Sequence, residues 1–301
     1  MSLKRILLFL VLLPAALTAA ETFSFVRPVR TSDSFLCSIL VKQSSQYSFF
    51  VPGNEQPVVK LSSVQADFYG YLTVRQVNPV GNPDRLAIRA DRFSGSVNGK
   101  QIKSNLPSGS WIDADLSGGR AVFSVEGKPL AADLQLLLAH LFPPASTFTL
   151  ADLTGTTRIL PKPGEGWKPD LTAFIKMLAS RRIQLTPSSF RSGVTYHGPE
   201  PVGKLRCQKF GILIETAKLT DYDCRFKLTF SLAPSGPPAQ MVREVTEVIR
   251  QVLRSEQPFA AGTRIELLNQ DRTESTLLPV KTIPQLKKAK NPSHAWESLL
   301  H

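Results

Sequence analysis

A strict alternation of apolar and polar residues is the feature that most limits how this chain folds. From residue 64 to 74 every second residue is apolar or small, and the residues between them are polar or aromatic. A period of two places one set of side chains on each side of a strand, with one side buried and the other in water. Residues 222–232 repeat the pattern, with Phe226 and Phe230 on one side and Arg225 on the other. Both segments predict strands of an antiparallel sheet.

Turn signals predict further strands around these two. Asn98-Gly99 tolerates the positive φ that a type I′ hairpin turn requires at both positions. Gly118-Gly119 separates two shorter alternating segments, and a change of phase near Gln208-Lys209 predicts a β-bulge. We also expect a last hairpin within residues 264–280 that turns at residues 269–272.

Three segments have the spacing of amphipathic helices. The first follows Pro129, the second follows a capping Asp170, and the third follows Pro237-Pro238. Their apolar stripes consist of Leu130, Leu134, Leu137, Leu138 and Leu141; of Leu171, Phe174, Ile175 and Leu178; and of Val242, Val245, Val248, Ile249, Val252 and Leu253. Arg181 and Arg182 follow the second stripe, where positive charge suits a helix C-terminus. The sequence therefore predicts an α+β fold: a mostly antiparallel, twisted and curved sheet with about three amphipathic helices packed on one face.

The first twenty residues predict export. Lys4 and Arg5 precede an apolar run over residues 6–13, and Thr18-Ala19-Ala20 precedes the expected cleavage site. The run is too short to cross a bilayer as a helix, and no later segment approaches the required length. We therefore expect an exported protein of a bacterial envelope, either periplasmic or secreted.

Composition divides the rest of the chain at a stretch rich in proline and glycine. We expect a signal peptide over 1–20, a β-rich half ending in a helix over 21–142, a loop or linker over 143–169, an α+β half over 170–280, and a basic tail over 281–301. Whether residues 21–280 form one domain or two stays open. The tail either stays solvated or docks on the sheet or a membrane through Trp296, Leu299 and Leu300.

Charge limits the partners that this chain would attract. A net charge of +12 favours anionic lipid headgroups or other acidic envelope components, although scattered charge also serves solubility. The sequence contains neither a recognition-helix signature nor a basic strand with interleaved aromatic residues. Nucleic acid is therefore not an expected partner, and the identity of any partner stays open.

The three cysteines leave at least one thiol without an intramolecular partner. Cys207 and Cys224 lie 17 residues apart on neighbouring predicted strands, and a disulfide between them would stabilise the fold by roughly 3 kcal/mol. The alternative is that both are small buried hydrophobic side chains. The chain has no CxxC motif, and its histidines are isolated at positions 140, 197, 294 and 301. No metal site and no cofactor are predicted.

No catalytic motif stands out, and the sequence favours a non-enzymatic protein. GxSxG, SxxK, HExxH and phosphate-binding loops are missing from the sequence. Asp113 and Asp115 are expected on the solvent side of a strand, and His140 beside a helix C-terminus. A hydrolase with an unrecognised site stays an alternative. It requires His140, or His197 of the Tyr196-His197-Gly198 loop, within hydrogen-bond reach of a nucleophile and an acid.

Two non-enzymatic functions are open. The first is a carrier that binds an apolar ligand such as lipid between the sheet and its helices, in a pocket lined by Phe68, Leu72, Phe226 and Phe230. The second is an interaction or scaffolding module of the envelope. An exposed aromatic patch formed by Tyr69, Tyr71 and Trp111 would favour the second.

Overall fold

The computed structural model describes residues 22–26, 29–103, 109–145, 149–180, 185–217, 222–234, 243–255 and 263–284. The predicted signal peptide, Arg181-Arg182 and the tail beyond Pro284 lie outside these ranges. The strands are β1 (Thr22–Ser24), β2 (Ser34–Phe50), β3 (Val58–Val77), β4 (Pro83–Val97), β5 (Lys100–Gln101), β6 (Trp111–Asp115), β7 (Val122–Val125), β8 (Lys128–Pro129), β9 (Thr157–Ile159), β10 (Gly166–Trp167), β11 (Phe190–Val202), β12 (Leu205–Thr216), β13 (Tyr222–Leu232), β14 (Arg243–Ser255) and β15 (Arg264–Pro279). The helices are α1 (Ala132–Leu141), α2 (Leu150–Thr154) and α3 (Thr172–Ser180), with a 3₁₀ turn at Pro187–Ser189.

Within the described residues, thirteen strands form one antiparallel sheet. Its order is β10-β11-β12-β13-β14-β15-β2-β3-β4-β6-β7-β8, with β5 paired to β4, while β1 and β9 form a separate two-stranded sheet. The prediction of a mostly antiparallel sheet is confirmed. The expected share of helix was too high, because the described helices are short and the fold is largely β.

Both ends of this sheet are covered on the same face. One row of directly paired residues crosses eight strands in the order Tyr196, Phe210, Phe230, Glu244, Ser275, Ile39, Phe68 and Phe93. Directly opposite residues of an antiparallel pair lie on the same side of the sheet. We call this side the core face and the other side the open face.

The first hydrophobic cluster lies where α1 covers the core face of β2, β3, β4, β6 and β7. Leu134, Leu137, Leu138 and Leu141 are buried, which confirms the predicted leucine stripe. The side chain of Gln135 ties the helix to the sheet, since its amide exchanges hydrogen bonds with the backbone N–H and C=O of Phe123. This cluster depends on both local helix spacing and long-range strand pairing.

The second cluster lies at the other end, where α2, α3 and β1 cover β11, β12 and β13. Asp170 accepts a hydrogen bond from the Thr172 N–H at 2.8 Å, so the predicted cap of the second helix is confirmed. The stretch expected as a loop or linker contributes α2, β9 and β10. Leu153 is buried in this cluster, and Leu160 and Trp167 pack against it. Part of this stretch therefore contributes secondary structure and apolar side chains to the second cluster.

Two predictions for the C-terminal half are wrong. The predicted third helix is β14, whose thirteen residues pair with β13 and β15. The predicted last hairpin is the single strand β15, which runs through residues 269–272 without turning and pairs with β14 and β2. Both segments lie in the middle of the sheet, where pairing on two sides outweighs local preferences.

Local turn and bulge signals agree better with the structure. Asn98 and Gly99 have φ values of 51° and 75°, as a type I′ turn between β4 and β5 requires. The expected bulge occurs on the neighbouring strand, at His197 of β11, where the pairing with β12 shifts between Tyr196 and Gly198. On β12 itself, the phase change arises because Phe210 is buried in the second cluster, whereas Cys207 is buried on the opposite face in a small third cluster with Val202 and Ala233.

Candidate functional site

One end of the sheet extends past both hydrophobic clusters. The first cluster ends at Val41 on β2 and begins at Val64 on β3. Residues 42–50 and 58–63 continue as paired strands beyond it, a length of about 25 Å at roughly 3.3 Å per residue. We call this region the sheet-end surface and define it as Tyr47, Phe49, Phe50, Val58, Val59, Lys60, Leu61 and Arg264.

The sheet-end surface exposes large apolar side chains. Leu61 is 73% exposed, Val58 and Val59 are 49% and 48% exposed, and Tyr47 is 39% exposed. They lie at the paired ends of two strands and on both sides of the sheet. Tyr47 and Val58 are on the core-face side together with Lys60 and Phe49, whereas Val59 and Leu61 are on the open-face side. Scattered apolar residues on a surface are ordinary, whereas a contiguous group marks an interaction site.

One cation accompanies the apolar residues on each side of the sheet, Lys60 on the core-face side and Arg264 on the open-face side. The Lys60 ammonium lies 5.7 Å from the ring centre of Phe49, and the Arg264 guanidinium lies 4.3 Å from that of Phe50. Both side chains are exposed. The sheet-end surface therefore combines apolar area with positive charge.

A second group of aromatic residues lies on the open face of β3, β4 and β6. We call it the aromatic–arginine cluster and define it as Tyr69, Tyr71, Arg89, Arg92 and Trp111. The Arg89 guanidinium lies 4.4 Å from the Tyr71 ring centre and 6.0 Å from that of Trp111, and Arg92 lies 5.9 Å from that of Tyr69. The cluster brings together the three aromatic residues that the sequence singled out as a patch.

Charges and burial shape the aromatic–arginine cluster. Asp91 holds the Arg89 Nε at 3.2 Å, and Asp67 lies 3.5 Å from Arg92. Burial raises the pKa of both Tyr69 and Tyr71, and the nearby Asp91 carboxylate raises them further. Both phenols therefore stay neutral donors at physiological pH. Trp111 is 40% exposed, so the patch is only partly open to water.

The pocket expected between the sheet and the helices is not formed by the four residues predicted to line it. Phe68 and Leu72 are buried in the first cluster, whereas Phe230 is buried in the second and Phe226 packs against it. These side chains fill two separate cores. Two open depressions lie instead on the open face, including a groove of about 610 Å³ lined by polar residues such as Ser44, Gln65 and Gln270.

The residues considered for catalysis lie apart from one another. His140 is at the C-terminal end of α1 on the core face, and His197 is exposed at the bulge of β11. Asp113 is exposed on β6, and Asp115 faces Arg85 at 3.2 Å. Hydrogen bonds from Ser117 lower the pKa of Asp115, which stays a carboxylate. The described residues do not place either histidine in hydrogen-bond contact with a nucleophile.

The environment of His140 leads to a pH-dependent stability. Burial, the larger effect, lowers its pKa below 6.5, while the Asp271 carboxylate acts in the opposite direction. His140 therefore binds a proton more readily in the unfolded chain than in the folded protein. For this reason the free energy of unfolding has its full value, as far as His140 is concerned, above about pH 6.5 and decreases as the pH falls. We expect His140→Gln to reduce the difference in melting temperature between pH 7.5 and pH 5.5. An unchanged difference in calorimetry would contradict this.

The predicted disulfide between Cys207 and Cys224 is not formed. Cys37, Cys207 and Cys224 are buried, and none of them is in a disulfide. The β12–β13 pairing runs from Gln208 opposite Leu232 to Glu215 opposite Arg225, which places the two cysteines at opposite ends of the ladder. A disulfide requires Cα atoms within about 7 Å, and this ladder is several times longer. Burial and the nearby Glu200 raise the pKa of Cys207 to about 11, so its thiol stays protonated.

The described residues lack two further structural features. They contain no group of three or more His, Cys, Asp or Glu side chains that could hold a metal ion. None of their helices has the length and apolar content needed to cross a membrane.

Comparisons with known proteins give a weak structural likeness and no sequence relative. No protein-family model matches the chain, and no curated protein matches it. Among solved structures it is similar to lipovitellin, in a structure concerned with lipid–protein interactions, at 8% sequence identity and a TM-score of 0.34. The match covers 86% of this chain and 26% of the lipovitellin chain, so this chain spans about a quarter of that protein's length. A TM-score this low does not support the transfer of a function.

Sequence reasoning missed the sheet-end surface. The signal was present in Ser48-Phe49-Phe50 and Val58-Val59, where adjacent residues are apolar. Adjacent residues of a strand point to opposite sides, so such pairs predict a strand that is apolar on both faces. Without a hydrophobic cluster around it, a strand of this kind leaves apolar area exposed.

Proposed function

We propose that this chain is an exported, non-enzymatic protein of the bacterial envelope that binds anionic lipid surfaces through the sheet-end surface. The observation that supports this most directly is the group of exposed apolar side chains at residues 47–61, with Lys60 and Arg264 within it. Lipid remains the ligand that the sequence favours. The proposed binding site for lipid is now the exposed end of the sheet, and not the pocket between the sheet and the helices that the sequence predicted.

The composition of the sheet-end surface suits the boundary between lipid headgroups and acyl chains. Fully burying a valine or leucine side chain is favourable by about 1.5–3 kcal/mol. Val58 and Val59 are already about half-covered, so each would contribute part of that value. A lysine or arginine near an anionic membrane adds about 1 kcal/mol. Several such contributions are enough for reversible attachment, and their mixture predicts a preference for anionic over zwitterionic lipid.

Vesicle flotation tests the proposal with a matched pair of variants. The chain is mixed with vesicles of phosphatidylglycerol and phosphatidylethanolamine, or with vesicles of phosphatidylcholine alone. We expect binding to the anionic vesicles and at least a tenfold loss in the variant Val59→Ser/Leu61→Ser. The control Val122→Ser/Ile159→Ser removes two side chains of similar exposure, 50% and 63%, outside the sheet-end surface and should bind like the unmodified chain.

Charge variants separate the two components of the sheet-end surface. Lys60→Gln/Arg264→Gln should weaken binding to anionic vesicles, and added salt should act in the same direction. Equal binding by both serine double variants would overturn the assignment to this surface. A folded chain that floats with neither vesicle would overturn the lipid proposal and leave the interaction-module alternative.

A further inference from the structure

The two depressions on the open face join into one groove. They share the lining residues Ser44, Ser63 and Gln270, and their volumes are about 500 and 610 Å³. Their lining comes from five neighbouring strands, β14, β15, β2, β3 and β4. Four strand spacings correspond to about 19 Å across the sheet. We call this region the polar groove and define it by the side chains of Ser44, Ser63, Gln65, Ser96 and Gln270.

Strand pairing sets these side chains in two neighbouring rows. Gln270 lies opposite Ser44, and Ser44 lies opposite Ser63. Two residues further along the strands, Gln65 lies opposite Ser96. Directly opposite residues share a side of the sheet, so all five side chains lie on the open face. Each strand is paired on both sides here, so a ligand would be recognised through side chains and not as an added strand.

Hydrogen-bonding side chains form the floor of the polar groove. Within the described part of the chain, none of its five defining side chains forms a hydrogen bond to another residue, and each is at least partly exposed. A serine hydroxyl and a glutamine amide can each donate and accept hydrogen bonds. The floor therefore presents mixed donors and acceptors at adjacent positions. This arrangement is complementary to a ligand that carries several hydroxyl groups.

The charges at the rim of the polar groove largely cancel one another. Glu247 lies 3.6 Å from Lys227 and also contacts Arg272, and the Arg272 Nη2 lies 2.7 Å from Glu274. The charges of these two cations and two carboxylates sum to zero. Lys42, opposite Arg272, adds a single positive charge. A ligand with several negative charges would require more cations without carboxylate partners, so the groove favours a neutral ligand.

We propose that the polar groove binds a neutral oligosaccharide. Sugar rings carry hydroxyl groups that both donate and accept, and they also have an apolar side of C–H groups. Leu61 and Leu268 lie at one end of the groove, on either side of Gln46, where they can cover such an apolar side. The volume lies in the range of roughly 300–1,000 Å³ that is typical of small-ligand sites. The groove shares Leu61 with the sheet-end surface, but its ligand goes beyond the proposed lipid binding.

Saturation-transfer-difference NMR tests the polar groove with maltotetraose, cellotetraose and tetra-N-acetylchitotetraose as neutral probes. We expect at least one probe to bind, with a dissociation constant by calorimetry that rises at least fivefold in Gln65→Ala/Gln270→Ala. Both side chains are exposed, so this variant should stay folded. The matched control Gln56→Ala/Gln76→Ala removes two exposed glutamines outside the polar groove and should bind like the unmodified chain.

Further outcomes separate this proposal from charge attraction and from lipid binding. Tighter, salt-sensitive binding of tetragalacturonate than of every neutral probe would overturn the assignment to a neutral saccharide. The groove itself is overturned if no probe binds to a chain that circular dichroism shows to be folded, or if both glutamine double variants bind equally. Lys60→Gln/Arg264→Gln should keep saccharide binding. A loss there as large as in Gln65→Ala/Gln270→Ala would contradict the proposal, so this proposal and the lipid proposal can fail independently.

Discussion

Phe210→Ala is expected to lower the free energy of unfolding by about 3–5 kcal/mol, the range for removing a fully buried aromatic side chain. Phe210 is 0% exposed at the centre of the second hydrophobic cluster. Its ring centre lies between 5.1 and 5.4 Å from those of Phe23, Phe25, Tyr196 and Phe230. The loss combines apolar burial, a cavity and these ring contacts, and urea denaturation followed by circular dichroism measures it.

Two companion variants define the size of that effect. Phe210→Leu keeps most of the side-chain volume, so the change in packing should lower the free energy of unfolding by under about 1.5 kcal/mol. The loss of the aromatic ring contacts adds to that value. Val122→Ala changes a side chain that is 50% exposed and should stay within about 0.5 kcal/mol of the unmodified chain. A loss below about 1 kcal/mol in Phe210→Ala would show that the second cluster is not packed as described.

Gly70→Ala is the second substitution with a large expected effect. A Cβ at Gly70 would lie 2.0 Å from the carbonyl oxygen of Arg89, a distance that requires the backbone to move. Gly70 lies where the β3–β4 pairing shifts register after Tyr69. We therefore expect a loss of at least about 2 kcal/mol, within the range for strain in a packed interior. Thermal unfolding monitored by calorimetry measures it.

The control for Gly70→Ala is a strand glycine with open space. Nothing lies within 4 Å of a Cβ at Gly193 on β11, where the backbone φ is not positive. Gly193→Ala should be neutral or slightly stabilising, because alanine loses less backbone entropy than glycine on folding. Similar destabilisation of both variants would contradict a specific clash at Gly70.

Features set by neighbouring residues in the chain were predicted correctly. The alternation at residues 64–74 belongs to β3, the leucine stripe belongs to α1, and Asp170 caps α3. The Asn98-Gly99 turn has the expected positive φ values. Each depends on side-chain period, capping or backbone freedom within a few residues, and these quantities can be read from the sequence.

Ambiguous patterns were resolved by distant strands. The valines of residues 243–255 are spaced like the apolar stripe of a helix, but β-branched residues also suit a strand with neighbours on both sides. The alternating segments predicted that a sheet exists, but they did not predict the order of its strands. In that order β15 pairs with β2, although the two strands lie near opposite ends of the sequence. Strand order also decided that Cys207 and Cys224 lie apart.

By itself the sequence determined that this chain forms a mostly antiparallel sheet with a covered core face, because apolar periodicity requires burial. Only the tertiary structure decided where the surfaces with functional chemistry lie. The sheet-end surface is exposed because β2 and β3 extend beyond both hydrophobic clusters. The aromatic–arginine cluster exists because pairing brings Tyr71, Arg89 and Trp111 side by side, and Pro284, the last described residue, accepts a hydrogen bond from Arg89. Such contacts join positions up to 195 residues apart, which no local pattern encodes.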